Sequence, residues 1–257
     1  MIYVYCVTHD AVTPDVEGVD GSSRFGVASI DGVSAVFTAV DAEAFSQEAI
    51  DQRAGDLEWL GAIGYRHQAV VADLMKRTSI VPLRAFTLFS SEEALRAFLH
   101  EHAQSLKKTL ERLDGKQEWT LRVEFDPGRW SESLSSRVDS LRLLQSEIES
   151  APPGKAFLLR KKLEDERKRS SKAAEQQVVG EIEQSVLEKL RCETLSETRE
   201  RRDGAFPQIN VLINRDEEAA LQELHASLLD RYEAEGVTLA LTGPWPPYTF
   251  SGAMSEE

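Results

Sequence analysis

Five histidines and two cysteines are the side chains here best suited to hold a metal or move a proton. His100-Glu101-His102 brings two imidazoles close in sequence. On a helix, however, residues two apart point about 200° away from each other, so the pair cannot share an ion. A solvent-facing helix is expected there. His67 lies on an apolar helical stripe, where a hydrogen-bonded core histidine is the expectation. His9 and His225 lack any spaced Asp, Glu or Cys partner that would suggest catalysis. Cys6 and Cys192 are too far apart in sequence for a CxxC redox motif or a zinc site, and two cysteines make no disulfide framework. Two reduced thiols are expected. No GxGxxG, Walker A, GxSxG or HExxH motif occurs, and Gly26 and Gly32 do not form a phosphate cradle. No catalytic, cofactor-binding or metal-ligating residue is assigned on these grounds and no cofactor is expected; the missing motifs count against an enzyme, although a dispersed active site would escape such a search.

Composition narrows the classes further. Lys plus Arg number 30 and Asp plus Glu 44, so the formal net charge is −14. Such a surface repels phosphate backbones, which argues against nucleic acid as a partner. The same charge favours solubility. Apolar residues make up 41% of the 257, enough to bury a substantial core. The first residues, Met1-Ile2-Tyr3-Val4-Tyr5-Cys6-Val7, are strand-like and carry no basic leader. No apolar run approaches the roughly 20 residues that span a bilayer. A cytoplasmic protein without a lipid-membrane partner is expected.

The elements that must position these residues can be placed by periodicity. Residues 2–7 read as a strand, and residues 26–30 and 33–40 as a hairpin around Asp31-Gly32. Asp41 is expected to cap a short helix. Leu57, Leu60, Ile63, His67, Val70, Val71 and Leu74 recur at spacings of three and four, predicting a helix over 56–77. Residues 79–84 read as extended, with Pro82 ending ladder pairing. Ser90 or Ser91 opens another helix, which ends before Gly115. Residues 118–126 alternate strictly, with Trp119, Leu121, Val123 and Phe125 on one face. Residues 131–150 read as partly helical. A long helix follows over about 155–189, its middle, 164–177, polar enough to stand in solvent. A polar strand over 192–199, a turn at Asp203-Gly204, a strand over 205–213, a helix capped by Asp216 and a last strand with Val237, Leu239 and Leu241 complete the chain.

From residue 118 onward the order is strand, helix, strand, strand, helix, strand. That is the split βαβ, ferredoxin-like order, βαββαβ, an antiparallel sheet with helices on one face. The polar strand over 192–199 suits a sheet edge, where polarity discourages unwanted pairing. The fold class expected is α+β in two domains: 1–114 as an N-terminal α+β domain, and 115–250 as a modified ferredoxin-like domain ending in an extended Pro and aromatic tail. Residues 251–257 are expected to be disordered.

That tail reads Leu241-Thr242-Gly243-Pro244-Trp245-Pro246-Pro247-Tyr248-Thr249-Phe250. It closely resembles the terminal signature of the gas vesicle GvpF/GvpL family. His67-Gln68-Ala69-Val70-Val71, Val81-Pro82-Leu83-Arg84 leading to Phe89, Ala156-Phe157-Leu158-Leu159-Arg160-Lys161-Lys162-Leu163-Glu164, and residues 115–123 resemble the same family. The likeness spans about residues 60 to 250, and more weakly the first strand. Departures are Cys6 where the family commonly has Gly, Ala85-Phe86 where it has Phe-Gly, and a divergent stretch over 14–36. The resemblance implies a two-domain α+β protein that is not an enzyme and serves in gas vesicle assembly or structure. It further implies contact with the very hydrophobic major gas vesicle shell protein and other gas vesicle proteins, and a cytoplasmic location associated with the vesicles. Buoyancy is the organelle's role. The alternative is an enzyme or ligand-binding protein with an unrecognised site in the cleft between the domains.

Pro244, Pro246 and Pro247 impose an extended path, and Trp245, Tyr248 and Phe250 carry apolar area that must be covered. These six residues are the candidate contact site. They dock either on the chain's own domains or on a partner protein.

Overall fold

The structure is a computed structural model that describes residues 1–201 and 204–252. Helices and two antiparallel sheets make up the chain, which divides into two compact units. The first unit takes Met1–Glu118 and residues from Pro244 onward; the second takes Trp119–Gly243. The tail, expected to follow the C-terminal half, therefore groups with the first unit. Of the expected disordered end, 253–257 lies outside the described residues, while Ser251 is buried.

In the first unit, strands β1 (Ile2–Thr8), β2 (Gly26–Ile30), β3 (Val33–Ala39) and β4 (Ile80–Pro82) lie in the order β2-β3-β1-β4. Strand β5 (Leu88–Phe89) also pairs with β1. Central β1 is buried at every position from Tyr3 to Thr8, which explains its nearly continuous apolar and aromatic sequence. The β2–β3 hairpin turns on Asp31 and Gly32, both at positive φ, as a tight primed turn requires. Pro82 was expected to end pairing, yet it stands in register opposite Cys6. Its missing N–H is tolerated because β4 lies at the end of the strand order.

Three helices join this sheet: α1 (Gln47–Gln52), α2 (Leu57–Met75) and α3 (Glu92–Leu113). Ser46, Asp56 and Ser91 cap them, each side chain accepting a first-turn backbone N–H. Asp41, the expected cap, instead organises a turn, accepting from Glu43 N and Ala44 N at 2.9 and 2.8 Å. The stripe predicted for α2 holds from Ile63 to Leu74, but Leu57 in its first turn is 82% exposed.

The second unit builds on β6 (Lys116–Phe125), α4 (Pro127–Arg137), α5 (Asp139–Ser150), α6 (Pro153–Lys189), β7 (Glu193–Arg201), β8 (Gly204–Asn214), α7 (Glu218–Glu233) and β9 (Val237–Trp245). Its sheet runs β7-β8-β6-β9, so the polar strand β7 is at an edge as expected. Part of the Asp203-Gly204 turn lies outside the described residues. Helix α7 follows a short 3-10 turn over Arg215–Glu217, and Glu217 rather than Asp216 holds its N-cap position. Trp119, Leu121 and Val123 of β6 join Val178, Ile182, Val186, Ile209, Val211 and Leu228 in the core.

The middle of α6 does not stand wholly in solvent. Ala174 is buried, and Trp130 Nε1–H on α4 donates to Ser171 Oγ at 3.0 Å. Residues 131–150, expected to be helical in part, fall in two helices, α4 and α5, broken at Val138, and the first begins earlier, at Pro127. At the end of α4, Arg137 is enclosed by two carboxylates. Its Nη1 lies 3.0 Å from Glu181 Oε2, its Nη2 3.0 Å from Glu235 Oε1, and its Nε bonds Glu235 Oε2. Tyr232 O–H donates to Glu181 at 2.9 Å, completing a network that ties α4, α6 and the end of α7 together.

Candidate functional site

The six predicted tail residues part into two groups. Pro244 is exposed and Trp245 is 42% exposed, both at the end of β9. Pro246, Pro247 and Phe250 are buried, and Tyr248 is half-buried. All six fall within the first unit.

Tyr248 packs against the core cluster of that unit, which includes Tyr3, Tyr5, Cys6 and Val36. The anchor is His67 on α2, only 3% exposed. Its Nε2 stands 3.0 Å from the Leu83 carbonyl oxygen and 3.2 Å from Tyr248 Oη. A carbonyl only accepts, so the network assigns the ring hydrogen to Nε2. Nδ1, 3.0 Å from Tyr3 Oη, then accepts from that hydroxyl. Tyr3 Oη in turn accepts from Phe86 N–H at 3.1 Å. Tyr248 O–H donates to Gln68 Oε1 at 3.3 Å and leaves its oxygen facing His67. Every hydrogen in this chain has an acceptor while the imidazole is neutral.

Burial acts in the same direction. It lowers the His67 pKa to about 4, against a smaller opposing pull from the Leu83 carbonyl. It also raises the pKa values of Tyr3, Tyr248 and Cys6, keeping these groups protonated and uncharged. The rings pack as well as bond: Tyr5 stacks on His67 at 5.6 Å between centroids, and Tyr3 meets it edge-on at 5.7 Å. Phe86 adopts φ 66°, a left-handed conformation uncommon for a bulky residue, at the position where the resemblance pointed to glycine. Its ring, 5.5 Å from Trp59 and 6.3 Å from Tyr3, supplies packing that offsets the strain.

Beyond Tyr248, charge takes over. Glu118 accepts from Thr249 N at 2.9 Å and from Thr249 Oγ1 at 2.7 Å. Arg112 donates to the Phe250 carbonyl, and Ser251 Oγ donates to Tyr248 O at 2.9 Å. Glu118 belonged by alternation to the polar face of its strand, yet it is 5% exposed. Nothing in the periodicity of β6 signals that its partner lies 131 residues later.

This arrangement holds a strap in place. The neutral histidine has its ring nitrogens engaged, and the Cys6 thiol is kept protonated by burial. Three of the other four histidines serve locally. His225 Nε2 lies 2.9 Å from the Leu239 carbonyl, His100 meets Asp31 on an exposed surface, and His102 packs on Phe98. Among the described residues, no group of three or more His, Cys, Asp or Glu is placed to hold a metal ion. No described helix is long and apolar enough to cross a membrane.

Residues 1–252 match the family described as gas vesicle synthesis protein GvpL/GvpF. Gas vesicle protein L of Streptomyces sp. is 29% identical over 99% of this chain and 94% of its own length. Gas vesicle protein L2 of Halobacterium salinarum is 30% identical over 97% and 90%. Crystal structures of GvpF from Microcystis aeruginosa and from Anabaena sp. share the fold, each with a TM-score of 0.66 over 97% of this chain. They cover 98% and 95% of those chains, at 15% and 16% identity. The chain belongs to the GvpL/GvpF family of gas vesicle synthesis proteins.

Proposed function

We propose that this protein serves gas vesicle formation through protein–protein contacts, engaging the major gas vesicle shell protein and other vesicle proteins in the cytoplasm, and that it is not an enzyme. In this reading it is a soluble, acidic carrier that covers apolar surface on an aggregation-prone subunit before or during polymerisation. Apolar contacts supply most of the affinity, and charge limits wrong pairings. The supporting observation is the spread of large apolar side chains left at the surface. Leu57, Tyr65, Leu143, Phe157 and Leu158 are each 67% exposed or more on a chain of net charge −14. Trp245 adds a sixth beside the docked strap.

The two compact units are read as two domains, the second a ferredoxin-like βαββαβ domain with α4 and α5 inserted before its first crossover helix. The strand order β7-β8-β6-β9 supports that reading.

Co-expression with the major shell protein, capture of this chain and mass spectrometry of what accompanies it test the role. Stoichiometric recovery of soluble shell protein is expected. Recovery of no vesicle protein under gentle conditions would reject direct contact, and an undiscovered ligand or activity would become the better reading.

A further inference from the structure

Helix α6 carries an uncovered surface whose pattern specifies a partner. Phe157, Lys161, Glu164, Lys168, Ser171 and Glu175 follow one another at spacings of four, three, four, three and four. They therefore form one stripe along the helix, about 27 Å long at 1.5 Å per residue. Its upper end is apolar: Phe157 is 68% exposed and Leu158 beside it 67%. Its lower end forms one wall of a groove of about 530 Å³, whose other wall holds Phe125, Pro127, Trp130 and Leu134. The polar edge of Trp130 is already satisfied by Ser171, whose hydroxyl donates onward to Glu175 at 2.8 Å. What the groove offers is ring and aliphatic surface edged by Arg167 and Lys168 and by the carboxylates Glu164 and Glu175.

The charge around this stripe opposes that of the whole chain. Residues 155–162 hold Lys155, Arg160, Lys161 and Lys162 and no carboxylate, on a protein of net charge −14. Lys155 is engaged by Glu147 at 2.7 Å, but Arg160 and Lys161 stand exposed. Arg167, which lines the groove, has its Nε shielded from solvent without an acceptor.

The backbone of a helix interior is already paired, so recognition along α6 must use side chains, as helix-on-helix packing does. We propose that this face of α6 docks an acidic amphipathic helix of another protein. Its apolar side chains lie against Phe157 and the Trp130 groove, and its carboxylates meet Lys161, Arg167 and Lys168. This surface gives the contact role proposed above a location and a partner chemistry, and depends on that role.

The test uses the full chain and two synthetic 18-residue helical peptides with the same leucine face, one carrying glutamates elsewhere and the other lysines, followed by fluorescence anisotropy. Overall charge alone would favour the lysine peptide. The expected result is at least tenfold tighter binding of the glutamate peptide. Phe157→Ser with Lys161→Glu, both at exposed positions and checked by circular dichroism, should weaken that binding at least tenfold. Leu187→Ser, elsewhere on α6, should leave it unchanged. Equal or tighter binding of the lysine peptide, or unaltered binding by the double variant, would overturn the assignment. So would self-association that Phe157→Ser abolishes, which would make the occupant a second copy. Loss of shell-protein capture with peptide preference intact would reject the shell contact and leave this surface standing.

Discussion

At the scale of the residue, His67 is the group whose chemistry the fold constrains most. Protonation would put a hydrogen on Nδ1, facing Tyr3 Oη, and that hydroxyl's own hydrogen would lose its acceptor. Burial opposes the charge independently, which is why the pKa falls to about 4 from an ordinary 6.5. The sign of the resulting pH dependence follows. Above pH 6.5 both folded and unfolded chains leave the ring neutral, and it has no effect. Below that value the unfolded chain binds a proton that the folded chain refuses, so stability falls as pH drops from 6.5 toward 4. Between pH 7.5 and pH 5 this ring accounts for a loss of about 2 kcal/mol. His67→Gln removes the titration. Urea unfolding of both proteins at the two pH values should show the stability gap between them shrinking by about that amount toward acid. A gap that stays constant would mean that the ring is not held neutral.

At the scale of the element, most strands and helices were legible because their apolar residues keep one period. The β2–β3 hairpin, α2, α3, β6, α6 and α7 all appear where spacing put them. The misreadings have local causes. Leu57 fits the α2 stripe by count but sits a turn too early to be buried. Asp41 has the chemistry of a cap, yet Ser46 takes that place. The docked strap was only half legible. Three prolines and three aromatics announced that something must dock, but no periodicity encodes pairing with His67 across 181 residues or with Glu118 across 131. Gly236 shows how strictly one turn can be set. It closes α7 at φ 78°, and a Cβ there would lie 2.5 Å from Arg129 Cβ and 3.1 Å from Trp130 N. Its carbonyl also accepts from Asp126 N at 2.8 Å, fixing the start of α4. The left-handed backbone alone penalises a side chain by roughly 1–2 kcal/mol. With the collision added, Gly236→Ala is expected to destabilise the second unit by at least about 2 kcal/mol. Amide exchange in α7 and β9 measures this directly, and unchanged protection would show that the turn can relax.

At the scale of the whole molecule, the first unit is completed by the last part of the chain. Strands β1 to β5 and helices α1 to α3 are made first, but Tyr248 and Phe250 fill positions in their core only after the entire second unit has been synthesised. Contacts of such sequence separation are slow to form, and until they do, apolar surface beside Tyr3 and Tyr5 stays open. Truncation after Trp245 tests how much the strap contributes. It removes the Tyr248 bonds to His67 and Gln68, the Thr249 bonds to Glu118 and the buried ring of Phe250. Burial of one large apolar side chain is worth about 1.5–3 kcal/mol, and a hydrogen bond to a charged group about 1.5–3 more. The truncated chain should therefore lose at least about 3 kcal/mol of protection in β1 and α2, read by amide exchange, and should bind a hydrophobic dye that the intact chain does not. Thr249→Val, which removes only the hydroxyl contact with Glu118, should fall between the two. Full protection after truncation would show that the strap rests on an already complete core, and the whole segment from Pro244 to Phe250 would then be open to a partner.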